Sequence, residues 1–372
     1  MAMRTKERHI DERARLLNEE SLFVNVHDHM MFEYAIREAL GEEEIFDIHY
    51  APQLRKGGIN VIATTVGGNS PCVCNLTDDL MSGSLEQIDM LRRAEARSGQ
   101  FRICCNGAEI EKAVKEGKIA VILAFEGARA IEGLPDEESL FLLRTFYRLG
   151  LRIVCIVGSG RTKFADGMGE RRADAGLTTY GVNLVREMNR IGMLIDLTHM
   201  TDRSFFDTLE TTDKSVLISH VGVQEVCPNP NNLSDDRIKA VGENGGVIGL
   251  EMVKTEIKWK AEETGETVTF DQVIKHIDHI AELIGTDHIG FGFDFDNFVY
   301  VYNVHRAMCP GPGSIEGFYT GVPKGDHMLD EPNNSGEAWL IADYLVKHGY
   351  SDKDIIKILG GNMMRLFKET LV

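Results

Sequence analysis

The sequence predicts an α/β fold, a closed (β/α)8 barrel of the TIM-barrel type, and three observations predict it. Short apolar runs of strand length alternate with longer amphipathic segments, and there are eight such runs. Most runs are continuously hydrophobic rather than alternating, as expected of parallel strands buried on both faces. The length of 372 residues suits one barrel with insertions, so residues 1–372 are read as a single domain.

The runs fall at 22–30 (LFVNVHDHM), 59–67 (INVIATTVG), 119–127 (IAVILAFEG) and 151–159 (LRIVCIVGS). Four more follow at 192–199 (GMLIDLTH), 215–221 (SVLISHV), 245–253 (GGVIGLEMV) and 288–297 (HIGFGFDFDN). Between them lie segments such as DEESLFLLRTFYRLG, LTTYGVNLVREMNRIG and FDQVIKHIDHIAELIG, which end at a glycine suited to terminate a helix. A doubly wound open sheet is the rival fold. It calls for a glycine-rich phosphate turn after the first strand, where this chain has MMFEYAI. The irregular stretch 298–333, containing CPGPGSIEGFYTGVPKGDHMLDEPNN, is expected to lie over the barrel mouth as a lid or a binding loop.

Composition bounds the function. Hydrophobic residues at 43% and charged residues at 26% describe an ordinary globular chain. A net charge of −18 argues against nucleic acid and anionic membrane surfaces as partners. The charged start MAMRTKERHIDERARLLNEE has no apolar core of a secretory signal, and no apolar stretch reaches membrane-spanning length. Seven cysteines, with tight pairs Cys72/Cys74 and Cys104/Cys105, suit reduced thiols, and a cytoplasmic location is expected.

In such a barrel the reactive groups stand at the C-terminal ends of the strands. The first run ends with His27 and His29, which share a face because side chains at i and i+2 do, while Asp28 faces the other way. The third run ends with Glu126, the fifth with His199, the sixth with His220 and the eighth with Asp294 and Asp296. One strand-end histidine is ordinarily structural. Several strands all ending in imidazole or carboxylate defy packing, because buried unpaired acids cost several kcal/mol. Histidine and carboxylate without cysteine suit Zn²⁺, with Mn²⁺ or Fe²⁺ as alternatives. Five ligands exceed one open tetrahedral ion and suit two ions sharing a carboxylate. Such a pair activates a bridging water and polarises a carbonyl, while a further carboxylate moves the proton.

These motifs resemble the renal (membrane) dipeptidase family of the metal-dependent amidohydrolase superfamily. The densest likeness is ADAGLTTYGVNLVREMNRIGMLIDLTHM (173–200), followed by ISHVGV (218–223), IGFGFDFDN (289–297) and GGNMMRLF (360–367); FEGA (125–128) matches the glutamate turn. The resemblance implies a binuclear zinc site in an amidohydrolase-like barrel, with Glu126 bridging. His27 and His29 would then hold one ion, His199 and His220 the other, and Asp294 would serve as general acid/base. It also implies a homodimer acting on a small-molecule substrate, a dipeptide or an N-acyl amino acid, through a metal-bridging hydroxide.

Three positions depart from the family pattern. His29 stands where the family has aspartate. Gly158 stands where a histidine holds the substrate carbonyl, and Asn231, next to Asn232, stands where an arginine grips the dipeptide carboxylate. Loss of a bidentate clamp is not neutral. Arg161 and Lys163 on the same loop as Gly158, Arg129 beyond the glutamate turn, and His305 and His327 in the long loop are candidate substitutes. Rival functions are a lactonase, a phosphoester hydrolase or a lyase on the same metals, and a non-catalytic metal-binding scaffold. The phosphotriesterase kind bridges its metals with a strand-four lysine, where this chain has VGSG.

Overall fold

A computed structural model describes residues 10–68, 79–133, 136–295 and 328–371. Among the described residues are nine parallel strands: β1 (Phe23–Asp28), β2 (Ile59–Gly68), β3 (Phe101–Ile103), β4 (Ile119–Glu126), β5 (Leu151–Cys155), β6 (Leu194–Asp196), β7 (Leu217–Val221), β8 (Val247–Leu250) and β9 (Ile289–Phe291). Each neighbours the next in the order β2-β1-β9-β8-β7-β6-β5-β4-β3, and β2 also pairs with β4. That pairing, from Val61 opposite Ala120 to Gly68 opposite Glu126, closes the sheet. Eight strands thus form the (β/α)8 barrel, and they coincide with the eight apolar runs.

The extra strand, β3, was not anticipated. It pairs with the first part of β4, Phe101 opposite Ile119 and Ile103 opposite Val121. β5 takes over from Leu123 opposite Leu151 to Glu126 opposite Cys155. β4 is long enough to serve both neighbours in turn.

Helices cover the barrel because each presents an apolar stripe. Phe270–Ile284 starts with a capping box between Thr269 and Gln272 and buries Phe270, Val273, Ile274, Ile277 and Ile280. Thr179–Ile191 ends at Gly192 with φ 74°, a left-handed cap that glycine adopts without strain. The C-terminal helix Asn362–Thr370 places Met363 and Phe367 in an apolar cluster with Val24, Val61, Ala120 and Val247, near the start of their strands. Apolar side chains therefore fill the barrel at that end. Among the described residues no helix is long and apolar enough to cross a membrane.

The stretch 298–333 expected to form a lid lies outside the described residues except for 328–333. There Leu329 N–H donates to the Met252 carbonyl at 2.9 Å, and Met328 bridges Val253. Cys72, Cys74, Asp296, His305 and His327 also lie outside them.

Candidate metal centre

The strand ends deliver the six predicted groups to one locus. His27 is the penultimate residue of β1, and His29 follows the strand at the start of helix Met30–Ala39. Their Nε2 atoms are 3.2 Å apart, while Asp28 faces away and accepts the Met30 N–H at 2.7 Å. Glu126 is the last residue of β4, and His220 lies within β7. His199 lies just past β6, and Asp294 just past β9. Both adopt left-handed backbone, φ 65° and 54°, a conformation that costs a non-glycine residue about 1–3 kcal/mol and accumulates at functional sites.

The contacts interlock. His199 Nε2 lies 3.1 Å from Glu126 Oε1 and 3.1 Å from His220 Nε2. The His220 ring is tilted against His27, with centroids 3.8 Å apart. Asp294 Oδ1 is 3.0 Å from His29 Nε2 and 3.4 Å from His27 Nε2. Two triads, His27/Glu126/His220 and His27/His29/Asp294, each hold one donor atom per residue within 4.8 Å of the others, the spacing of groups able to hold a cation.

A second layer of hydroxyls sets the rings. Thr65 Oγ1 lies 3.1 Å from His29 Nδ1, and Ser219 Oγ lies 2.9 Å from His220 Nδ1. Ser219 Oγ also meets Thr198 Oγ1 at 3.1 Å, and Thr198 donates to Asp196 Oδ1 at 2.6 Å. Imidazoles whose Nδ1 is held in this way present Nε2 to the centre.

The residues fit a divalent cation. Glu126 Oε2 and Asp294 Oδ1 are buried and make no hydrogen bond among the described residues. Burial opposes ionisation of both, but for Glu126 the hydrogen bond from His199 and the nearby charges of His29, His199 and His27 outweigh it. For Asp294 the closeness of His27 and His29 does the same, so both carboxyls stay well below the usual range. Burial, reinforced by His27, drives His220 well down, which leaves it neutral. Two ionised oxygens set among imidazole nitrogens are donors of the kind that hold a divalent cation.

Around the rim, the predicted substitutes are engaged in loop structure. Arg161 pairs with Asp166, Nη2 donating at 3.1 Å. Lys163 Nζ reaches the Gly133 carbonyl and lies 4.4 Å from the centre of the Tyr180 ring. Arg129 Nη2 donates to the Arg161 carbonyl at 3.1 Å. Gly158 is buried, and its carbonyl presses so closely on Gly167 that a Cβ there would stand 2.2 Å from it. Asn231 is bonded on both sides, accepting from Arg171 Nη2 at 3.1 Å and donating to Glu256 Oε1 at 3.3 Å.

Sequence reasoning did not find Glu256, Arg171, Thr65, Ser219 or Asp196. A search for hydroxyls one or two residues from the strand-end histidines would have found Ser219, beside His220 in SHV; nothing local marks Glu256.

Comparison with known proteins agrees with this architecture. A sequence model of the membrane dipeptidase family, peptidase family M19, matches residues 11–303. The dipeptidase tcpJ of Claviceps purpurea is 27% identical over 291 residues, 78% of this chain and 60% of that protein. An uncharacterised dipeptidase of Schizosaccharomyces pombe is 28% identical over 77% of this chain and 62% of its own length. The chain thus spans about three fifths of the length of these two relatives. Among solved structures, a metallopeptidase from Rhodobacter sphaeroides, bound to a phosphinate mimic of the dipeptide L-Ala-D-Ala, superposes with a TM-score of 0.76 at 21% identity, covering 94% of this chain and 100% of that one. An amidohydrolase from Pseudomonas aeruginosa gives 0.74 at 20% identity, covering 96% and 99%. These two share the fold. On the match across most of its length, the chain belongs to the membrane dipeptidase family, peptidase family M19.

Proposed function

We propose that the chain is a two-metal hydrolase that cleaves the amide bond of a dipeptide or a similar small molecule. The observation that carries this reading is the pair of buried, unpartnered oxygens, Glu126 Oε2 and Asp294 Oδ1, set among four imidazole Nε2 atoms. Membership of a dipeptidase family supports it, as does the dipeptide mimic held by the Rhodobacter neighbour.

In this reading Glu126 is the shared carboxylate, His27 and His29 serve one cation, and His199 and His220 serve the other. Imidazole and carboxylate donors without thiolate favour zinc. When bound, two such cations supply an activated water and a polarised carbonyl. The chain's own residues do the rest. Asp294 has one enclosed oxygen, yet its side chain is 20% exposed, so the same carboxyl reaches both the imidazoles and the mouth. It takes the proton of the attacking water and returns it to the leaving nitrogen.

The test is a panel of dipeptides, N-acyl amino acids and lactones assayed on the zinc-loaded chain, with Asp294→Asn as the variant. The reading expects amide cleavage and a kcat lowered about 10²–10⁴-fold by the substitution. Turnover of lactones alone, or turnover indifferent to Asp294→Asn, would contradict it.

A further inference from the structure

Glu256 lies in the short helix Lys254–Ile257, beyond the end of β8, and is tied to the loop that follows His220. Its carbonyl accepts from Asn232 Nδ2 at 2.7 Å, and Asn232 Oδ1 accepts the Gly222 N–H at 2.9 Å. His276 makes a second tie, meeting the Ile257 carbonyl through Nε2 at 2.9 Å and accepting the Val223 N–H at 2.8 Å. The helix that carries Glu256 is therefore held beside the loop that follows β7, at the C-terminal end of the barrel strands. The charges of His199 and Asp294 act on it there.

One carboxyl oxygen is accounted for and the other is not. Oε1 accepts from Asn231, whose own oxygen is taken by Arg171. Oε2 is buried and makes no hydrogen bond among the described residues. A buried acceptor without a donor costs roughly 1–3 kcal/mol, so a fold keeps it at a mouth only where something else supplies the donor. Burial pushes the carboxyl up to about 7 against the pull of the Asn231 and Asn229 amides and of His199, and a further positive charge beside it would bring it down.

We propose that Glu256 Oε2 receives the leaving-group end of the substrate, and that this end carries a cation, an ammonium or guanidinium, rather than a free carboxylate. Asn231, at the rim beside it, is too short and uncharged to clamp a carboxylate. An acid next to it repels one, which is selection by an unfavourable contact as well as a favourable one. The net charge of −18 draws cations toward the protein as a whole. The inference rests on the hydrolase reading above. The reaction is ordinary hydrolysis: water adds to the carbonyl carbon, the C–N bond breaks, the nitrogen takes a proton, and the products are an amino acid and a diamine-like cation.

The experiment compares alanyl-alanine with mono-alanyl pentanediamine, for the zinc-loaded wild type and for E256Q, E256A and R171A. Metal content and melting temperature are measured alongside. Wild type is expected to favour the cationic amide, and E256Q to lower the ratio of kcat/KM for the two substrates about tenfold, mainly through KM. Calorimetric binding of the cationic amide should weaken by the same factor. Preference for alanyl-alanine, with a ratio that E256Q leaves unchanged and that R171A abolishes, would overturn the proposal. If neither compound is cleaved, the hydrolase reading fails, yet calorimetry still decides the role of Glu256: binding weakened by E256Q supports it, and equal binding overturns it.

Discussion

Ser219 Oγ lies 2.9 Å from Nδ1 of its neighbour His220, and this contact determines which nitrogen of that ring faces the centre. An Nε2 lone pair is available only if Nδ1 carries the proton. Ser219 accepts that proton and passes its own hydroxyl toward Thr198 and Asp196. Ser219→Ala should therefore weaken metal affinity about 10–100-fold with little change in fold, read by competition with a chromogenic chelator. Unchanged affinity would remove Ser219 from the account.

Below the centre, glycine is demanded by proximity. A Cβ on Gly292 would stand 1.9 Å from the Ser219 carbonyl oxygen and 3.1 Å from His27 Cβ. Gly292→Ala is expected to cost about 1–3 kcal/mol in urea unfolding and to lower metal content, because backbone at two ligand strands must move. A stable variant with full metal would show that the strands yield more easily than the contact distances imply.

His276 gives a pH dependence with a definite sign. Burial lowers its pKa from the usual 6.5 to about 4, helped by the charges of His279 and Lys275 and opposed by the Ile257 carbonyl that its Nε2 meets. The unfolded chain takes up this proton below pH 6.5, whereas the folded chain does so only near 4. Its contribution is therefore full above 6.5 and is lost as pH falls through that window. The loss amounts to about 3 kcal/mol. Denaturation midpoints across that range should fall more steeply for wild type than for His276→Gln, and parallel curves would contradict the assignment.

Much of this architecture is legible in the sequence. Parallel barrel strands are buried on both faces, so LFVNV or IAVILAF reads as strand without help from its partners, and the polar residue that ends such a run stands out. That is why His27, His29, Glu126, His199, His220 and Asp294 were found together. β3 was not, because three residues of FRI carry no period, and only the free edge of β4 makes them a strand. Glu256 was hidden for a different reason. In KTEIKWK it reads as one charge on a solvated face, and only the docking of its helix against Asn232 and His276 encloses its Oε2. Burial of this kind is a property of the assembled loops, and no local pattern encodes it.

The central claim is that Glu126 joins two cations held by the strand-end imidazoles, and metal stoichiometry tests it most directly. Purified chain stripped by chelator and reloaded with zinc should retain about two ions per chain by plasma emission spectroscopy. Glu126→Gln should retain fewer than one while remaining folded by circular dichroism. Two ions retained by both proteins, or none by the folded wild type, would contradict the account.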